Sequence, residues 1–323
     1  MHSALCACLT AAPQPPATID DVAGWWCHVW RPLEAVRSDA AALAVACGFA
    51  ADRVGWAFAG GYQAALRALF PELPHDTLAA LCVTEAEGNR PRHIRTTIVP
   101  QGDGSLRIDG AKRWTTLGPA SSLLLIVGAL PASAEAGKPT LRVARVPAST
   151  PGLVLQPMPA TRFVPEVPHA QMQLTDVRVG ADALLPHDGY DAYVKPFRTI
   201  EDAYVTLAVL AYLLREGRAR RWPDAFNEQI VAAIALLMLL ACDDASAATT
   251  HVALAGALRI AHRLYADASA LWAAVADDPA AQRWQRDAAL FEVAGSARQQ
   301  RAARAWERLG TEGADVPGVP ASR

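Results

Sequence analysis

The stretch that decides the fold is CVTEAEGNRPRHIRTTIVPQGDGSLRIDGAKRWTTLG, residues 82–118. Upstream of it the chain is Ala-rich and helical in pattern. Within it the texture switches to short alternating segments, HIRTTIVP, SLRIDG and KRWTTLG, separated by Gly, Pro and Asp turns, which is the signature of paired strands. Thr84 stands at one end of the stretch, and Trp114 and Thr116 at the other. The question it poses is whether CVTEAEGNRP is only a turn or one wall of a binding site.

Working outward, residues 20–78 carry two or three helices interrupted only by small residues. The alternating segments continue through SSLLLIVGAL, TLRVARVP, GLVLQPMP and HAQMQLTDVRV. From about Gly189 the helical period returns over 192–217, 223–243, 246–274 and 279–309, with Pro223 and Pro279 suited to first turns. The expected organisation is α+β: an N-terminal helical domain (1–79), a middle antiparallel β domain (80–186), a C-terminal helical bundle of about four members (187–311) and a tail (312–323). Grooves between such modules are favoured places for small ligands.

Composition narrows the function classes. With 52% apolar residues, 19% charged residues and a formal net charge of −2, the chain is neither disordered nor the basic protein expected of a nucleic-acid binder. The longest apolar run, Ile230 to Cys242, falls short of the ~20 residues that a membrane span requires and reads as a buried core helix. The N-terminus lacks a basic segment ahead of a hydrophobic one, which argues against a signal peptide and for a cytoplasmic protein. The six cysteines, lacking CxxC spacing, read as free thiols, and the scattered histidines form no metal motif.

The segment from Leu81 to Leu130 resembles the start of the middle domain of acyl-CoA dehydrogenases, where a TE…G turn is followed by a G.K.WITNG motif and a strand. TPGLVLQPM and MQLTDVRVGADALL are similar to that domain's closing strands, and RDAALFEVAGSARQQRAARAW to the family's last helical motif, so the likeness runs over about residues 55–309 and is best at 81–185. The resemblance implies N-terminal helices, a middle β barrel or sandwich and a C-terminal four-helix bundle. It also implies FAD as cofactor, an acyl-thioester or related small molecule as substrate, an electron-transfer partner, and a homodimer or homotetramer. Nothing in it calls for nucleic acid or a membrane. By resemblance, Val83 and Thr84 contact the flavin's pyrimidine edge, Trp114 packs near the ring and Thr116 reaches toward N5. The residue types suit this, because an isoalloxazine presents polar edges and a flat face, and needs amides, small hydroxyls and an aromatic wall. Read without the resemblance, Thr84 caps a turn, Trp114 fills a barrel core, and Thr116 is an ordinary strand residue. The turn departs from the family's TEPxAGSD by one residue and by Ala86, Asn89 and Arg90, and no RxxFG or GGxG segment is present.

The implied reaction needs a carboxylate that removes an α-proton from the thioester. The family's usual glutamate is missing from Phe291–Ser296, where Glu292 lies three residues before Gly295. Glu201, in PFRTIEDAYVTLAVLAYLL, occupies a place comparable to the base of the isovaleryl-type branch, followed by an apolar stretch that raises a carboxyl's pKa by desolvation. Glu201 and Glu292 are therefore the candidate bases. Glu201 and Asp202 are equally read as solvated acids of a first helical turn. A flavin monooxygenase without this base, or a catalytically silent acyl-binding or partner subunit, remain alternatives. The arginines of the last helix read as a salt-bridged face or a CoA phosphate contact, Gly60–Gly61 as close helix packing, and Trp25, Trp26 and Trp30 as core or interface anchors.

Overall fold

The computed structural model describes residues 3–12, 16–131 and 139–314. Four helices come first: α1 (Ser3–Thr10), α2 (Val22–Trp25), α3 (Ala40–Ala50) and α4 (Val54–Leu69). Asp21 and Asp39 start α2 and α3 by accepting bonds from the amides of Gly24 and Ala42. Seven strands follow: β1 (Ala79–Cys82), β2 (Thr97–Pro100), β3 (Ser105–Thr116), β4 (Leu123–Ala129), β5 (Leu141–Pro147), β6 (Leu153–Pro157) and β7 (His169–Gly180). The helices α5 (Lys195–Ala219), α6 (Asp224–Leu240), α7 (Ala248–Ala273), α8 (Pro279–Asp287) and α9 (Gly295–Ala314) complete the described chain.

The strands form one curled sheet in the order β1-β4-β2-β3-β7-β6, with β5 on β4. It is mixed where an antiparallel domain was expected: β1 and β4 run parallel, because the chain passes through β2 and β3 before it returns beside β1. The continuous apolar run of β4 is explained by burial on both faces. Leu124 and Ile126 enter a core inside the sheet with Ile98, Ile108, Val146 and Leu174, while Leu125 and Val127 face the helices.

Helices α3, α4 and α5 pack almost backbone to backbone. A methyl group on Gly60 would lie 2.3 Å from Cys47 Sγ, and one on Gly61 would lie 2.6 Å from Val205 Cα. Gly60–Gly61 is thus a close crossing, and it fixes where α5 presents its side chains. Around it, Trp25, Trp30 and Trp56 are fully buried, with Trp25 stacked on Trp56 at 6.0 Å. Trp26 is the half-buried member of the group and stacks on Trp30.

Three further expectations change. The Ile230–Cys242 run is not wholly buried: α6 buries one stripe that includes Ile230, Ile234 and Leu237, while Leu239 is 71% exposed. The single helix expected over 279–309 is two helices, joined by a 3₁₀ turn (Ala288–Glu292) and a break at Ala294, whose φ is +65°. α9 continues into the stretch read as a tail, of which residues 315–323 lie outside the described residues.

The turn and β3 are locked by one buried ion pair. Lys112 Nζ lies 2.7 Å from Glu85 Oε1, with the lysine 1% and the glutamate 7% exposed. Glu85 also accepts bonds from the amides of Arg95 and Thr96. Burial opposes the charge of both partners and lowers Lys112, but Lys112 and the two amides together hold Glu85 below its ordinary pKa. Removing one member of such a pair strands the other charge. Lys112→Ala is expected to cost about 3–5 kcal/mol in urea unfolding, and Lys112→Ala combined with Glu85→Ala distinctly less than the sum of the single substitutions.

Candidate active site

The ion pair sets the geometry of everything next to it. Glu85 and Gly88 exchange both backbone hydrogen bonds across Ala86–Glu87, and the Arg113 amide donates to Thr84 O at 2.7 Å, so CVTEAEG lies against the end of β3. At that point β3 takes three steps from Lys112 to Thr115, while β7 takes two from Met172 to Ala170. The resulting bulge puts Trp114 at φ +58° and leaves its ring 48% exposed, edge-on to His169 at 5.7 Å. Trp114 is therefore not a core residue of the sheet. It projects from the sheet toward the helices.

All four residues matched to the flavin wall line one cavity of about 140 Å³: Val83, Thr84, Trp114 and Thr116. Arg198 and Glu201 of α5 form its opposite side. Neither threonine hydroxyl hydrogen-bonds to another described residue. A second cavity of about 300 Å³ shares Trp114 and Glu201 with the first and extends between α5, α7 and the α8–α9 break. Phe163 and Val164 enter it from the loop before β7, which is held in place where the Val164 amide donates to Asp287 and Arg286 bonds Glu166 and Asp287.

The two acids of the Glu201–Asp202 dipeptide have opposite surroundings. Asp202 is clamped by Arg298 at 2.8 Å and Arg301 at 2.6 Å. Glu201 has no hydrogen bond or ion pair with another described residue, and its residual exposure is to the two cavities. Burial, and then the charge of Asp202, push Glu201 up to about 7, against the pull of Arg298 and Arg198. Glu292 lies elsewhere. It is exposed on the 3₁₀ turn and does not line the larger cavity, although Phe291, Val293 and Ala294 around it do. Glu201, Val83, Thr84, Trp114 and Thr116 are thus brought together, and Glu292 is not among them.

The sequence did not reveal five contributors: Lys112, Glu85, Arg198, His262 and Tyr265. Lys112 and Glu85 carried no pairing signal, because each stands among other charged and polar residues, and only the approach of the turn to β3 joins them. Arg198, three residues before Glu201, stands on the same helix face. His262 and Tyr265 carried no signal, because their place in the cavity depends on how α7 packs. Two of the last-helix arginines, Arg298 and Arg301, are committed to Asp202, while Arg286 of α8 is committed to Glu166 and Asp287.

No known family's sequence profile matches the chain, and no curated protein sequence does. Among solved structures, butyryl-CoA dehydrogenase from Megasphaera elsdenii aligns with a TM-score of 0.61 at 16% identity, over 83% of this chain and 80% of that one. TdsC from a Paenibacillus species, solved with FMN bound, aligns with a TM-score of 0.63 at 17% identity, over 82% and 81%. The FAD complex of PigA aligns with a TM-score of 0.61 at 15% identity, over 85% and 83%. The chain has the acyl-CoA dehydrogenase fold, as its 82–118 motif led one to expect.

Glu201 gives this site a pH signature. The native carboxyl keeps its proton up to about 7, whereas the unfolded chain releases it at the ordinary value of 4.5, so between these values the native state binds more protons. The stability it contributes is present at low pH and is lost as pH rises toward 7. Urea unfolding from about pH 5 to about pH 8 is expected to show the wild type losing stability relative to Glu201→Gln; parallel curves would mean that Glu201 ionises normally.

Proposed function

We propose that this protein is a flavin-dependent oxidoreductase that dehydrogenates an acyl thioester, with Glu201 as the base. The observation that carries the reading is the position of Glu201: a half-buried carboxyl, without a hydrogen bond or ion pair to another described residue, in the wall shared by the cavity of Thr84, Trp114 and Thr116 and the larger apolar one. The residues present fit the edge of an isoalloxazine. Two hydroxyls without partners face the smaller cavity beside an aromatic ring and the backbone of Val83–Thr84. A flavin bound there supplies the acceptor for the β-hydride.

The chain's own residues account for the rest. Desolvation lifts Glu201 toward neutrality, where a carboxylate is basic enough to take an α-proton and still ionised in a useful fraction near pH 7. Arg298 and Arg301 hold Asp202 aside, so one acid titrates over the cavity while its neighbour stays engaged. Trp114 lines both cavities, so the flavin wall and the chamber adjoin at its ring, where a substrate in the chamber can meet a flavin on the wall. The resemblance favours FAD, reoxidation by an electron-transfer partner and assembly as a dimer or tetramer, and the lineage of the fold is compatible with FMN as well.

The test is the visible spectrum of the desalted protein, followed by anaerobic addition of acyl-CoA thioesters. Flavin is expected to be retained and then bleached. Glu201→Gln should keep the flavin and slow bleaching by about 10²–10⁴-fold, while Thr84→Ala and Trp114→Ala should loosen the flavin. Unchanged bleaching in Glu201→Gln would remove it as the base. Oxygen uptake with reduced flavin and no bleaching would identify a monooxygenase, and a folded, colourless protein that takes up no flavin would identify a silent relative.

A further inference from the structure

The larger cavity has a composition that a saturated hydrocarbon tail does not need. Its volume of about 300 Å³ holds about ten non-hydrogen atoms, at the ~30 Å³ that a water takes in the liquid. It follows α5 from Glu201 to Val209, about 12 Å at 1.5 Å per residue, so its occupant lies deep between the helices. Its walls are rich in rings. Phe58 enters from α4, Phe163 from the loop before β7, Phe291 from the 3₁₀ turn, and Tyr265 from α7. Tyr265 and Phe291 stack at 4.2 Å, and Trp284 backs Phe291 at 5.2 Å, which makes that wall stiff.

Polar groups interrupt these walls. His262 lies on the same side of α7 as Tyr265, with ring centroids 5.8 Å apart, and makes no hydrogen bond to another described residue. Burial lowers its pKa, so the imidazole is neutral and offers one donor and one acceptor. The Tyr265 hydroxyl lies beside Thr206, whose own hydroxyl donates to Asp202 O. A purely aliphatic occupant would cover His262 and return no hydrogen bond, which is a penalty for a polar group taken out of water. An aromatic occupant gains edge and face contacts with the surrounding rings beyond simple area burial.

We propose that the chamber beside Glu201 takes an acyl group ending in an aromatic ring with a hydrogen-bonding substituent, the ring among Phe163, Tyr265 and Phe291 and the substituent on His262. The inference rests on the reading of Glu201 as the base of a thioester site and names the substrate class of that site. His262 acts here as a specificity residue.

The experiment compares binding of 3-(4-hydroxyphenyl)propanoyl-CoA, 3-phenylpropanoyl-CoA and octanoyl-CoA to the protein as purified, by calorimetry, with flavin bleaching followed in parallel. The hydroxyphenyl thioester is expected to bind at least about tenfold more tightly than the octanoyl thioester, with the phenyl compound between them. His262→Leu should reduce the advantage of hydroxyphenyl over phenyl to about twofold or less, and His262→Gln, which keeps a donor and an acceptor, should retain most of it. Octanoyl-CoA binding as tightly as the aryl thioesters, or no thioester binding at all, would overturn the inference in the wild-type protein alone. An unchanged hydroxyphenyl preference in a folded His262→Leu protein would overturn the role of His262. Aryl-selective binding without bleaching would defeat the proposed reaction and leave this assignment standing, whereas bleaching without aryl preference would do the reverse.

Discussion

The buried contact between Lys112 and Glu85 is the constraint on which the site depends. Two charges removed from water are a liability unless their geometry is good and their remaining bonding capacity is used. Glu85 meets that demand with two backbone amides besides the ammonium, and Lys112 also reaches Val83 O at 3.4 Å. These bonds tie the residues just after β1 to the far end of β3, which are distant in sequence. Thr84 and Trp114 face a common cavity because the pair between them leaves little freedom. The bulge that follows Lys112 then turns Trp114 outward in a backbone conformation that a tryptophan rarely adopts.

The helical side is positioned by sterics. Glycines at the crossings of α3, α4 and α5 let the helices approach until only backbone separates them, and α5 is buried over most of its length. That approach places the start of α5 over the sheet, with Glu201 pointing into the gap and Asp202 toward α9. Two adjacent acids thus acquire different chemistry from their surroundings alone. One is paired with two guanidiniums, and the other lines two cavities without a hydrogen bond or ion pair to another described residue.

The break between α8 and α9 serves the same cavity from the opposite side. A continuous helix over 288–294 would carry Phe291 and Val293 to different faces, whereas the 3₁₀ turn and the left-handed Ala294 bring both to the chamber and leave Glu292 outside. Apolar lining thereby takes the place near Gly295 at which the sequence resemblance led one to look for a glutamate.

Much of this was legible in the sequence, for local reasons. The switch from a helical to an alternating period at Cys82, the turn residues between strands and the TE…K-W-T-T spacing marked the class of fold and the residues that come to line one cavity, because periodicity and turn chemistry act over a few residues. The apolar stretch after Glu201 left that carboxyl open to two readings, desolvated or solvated, which the sequence did not separate. What the sequence alone did not determine depends on contacts between distant segments. The parallel pairing of β1 with β4 follows from chain routing, the exposure of Leu239 from which stripe of α6 meets its neighbours, and the exclusion of Glu292 from a helix break without a proline to signal it. The choice between Glu201 and Glu292 was of this kind. Both are glutamates in helical sequence, and only tertiary packing gives one of them a cavity and the other the solvent.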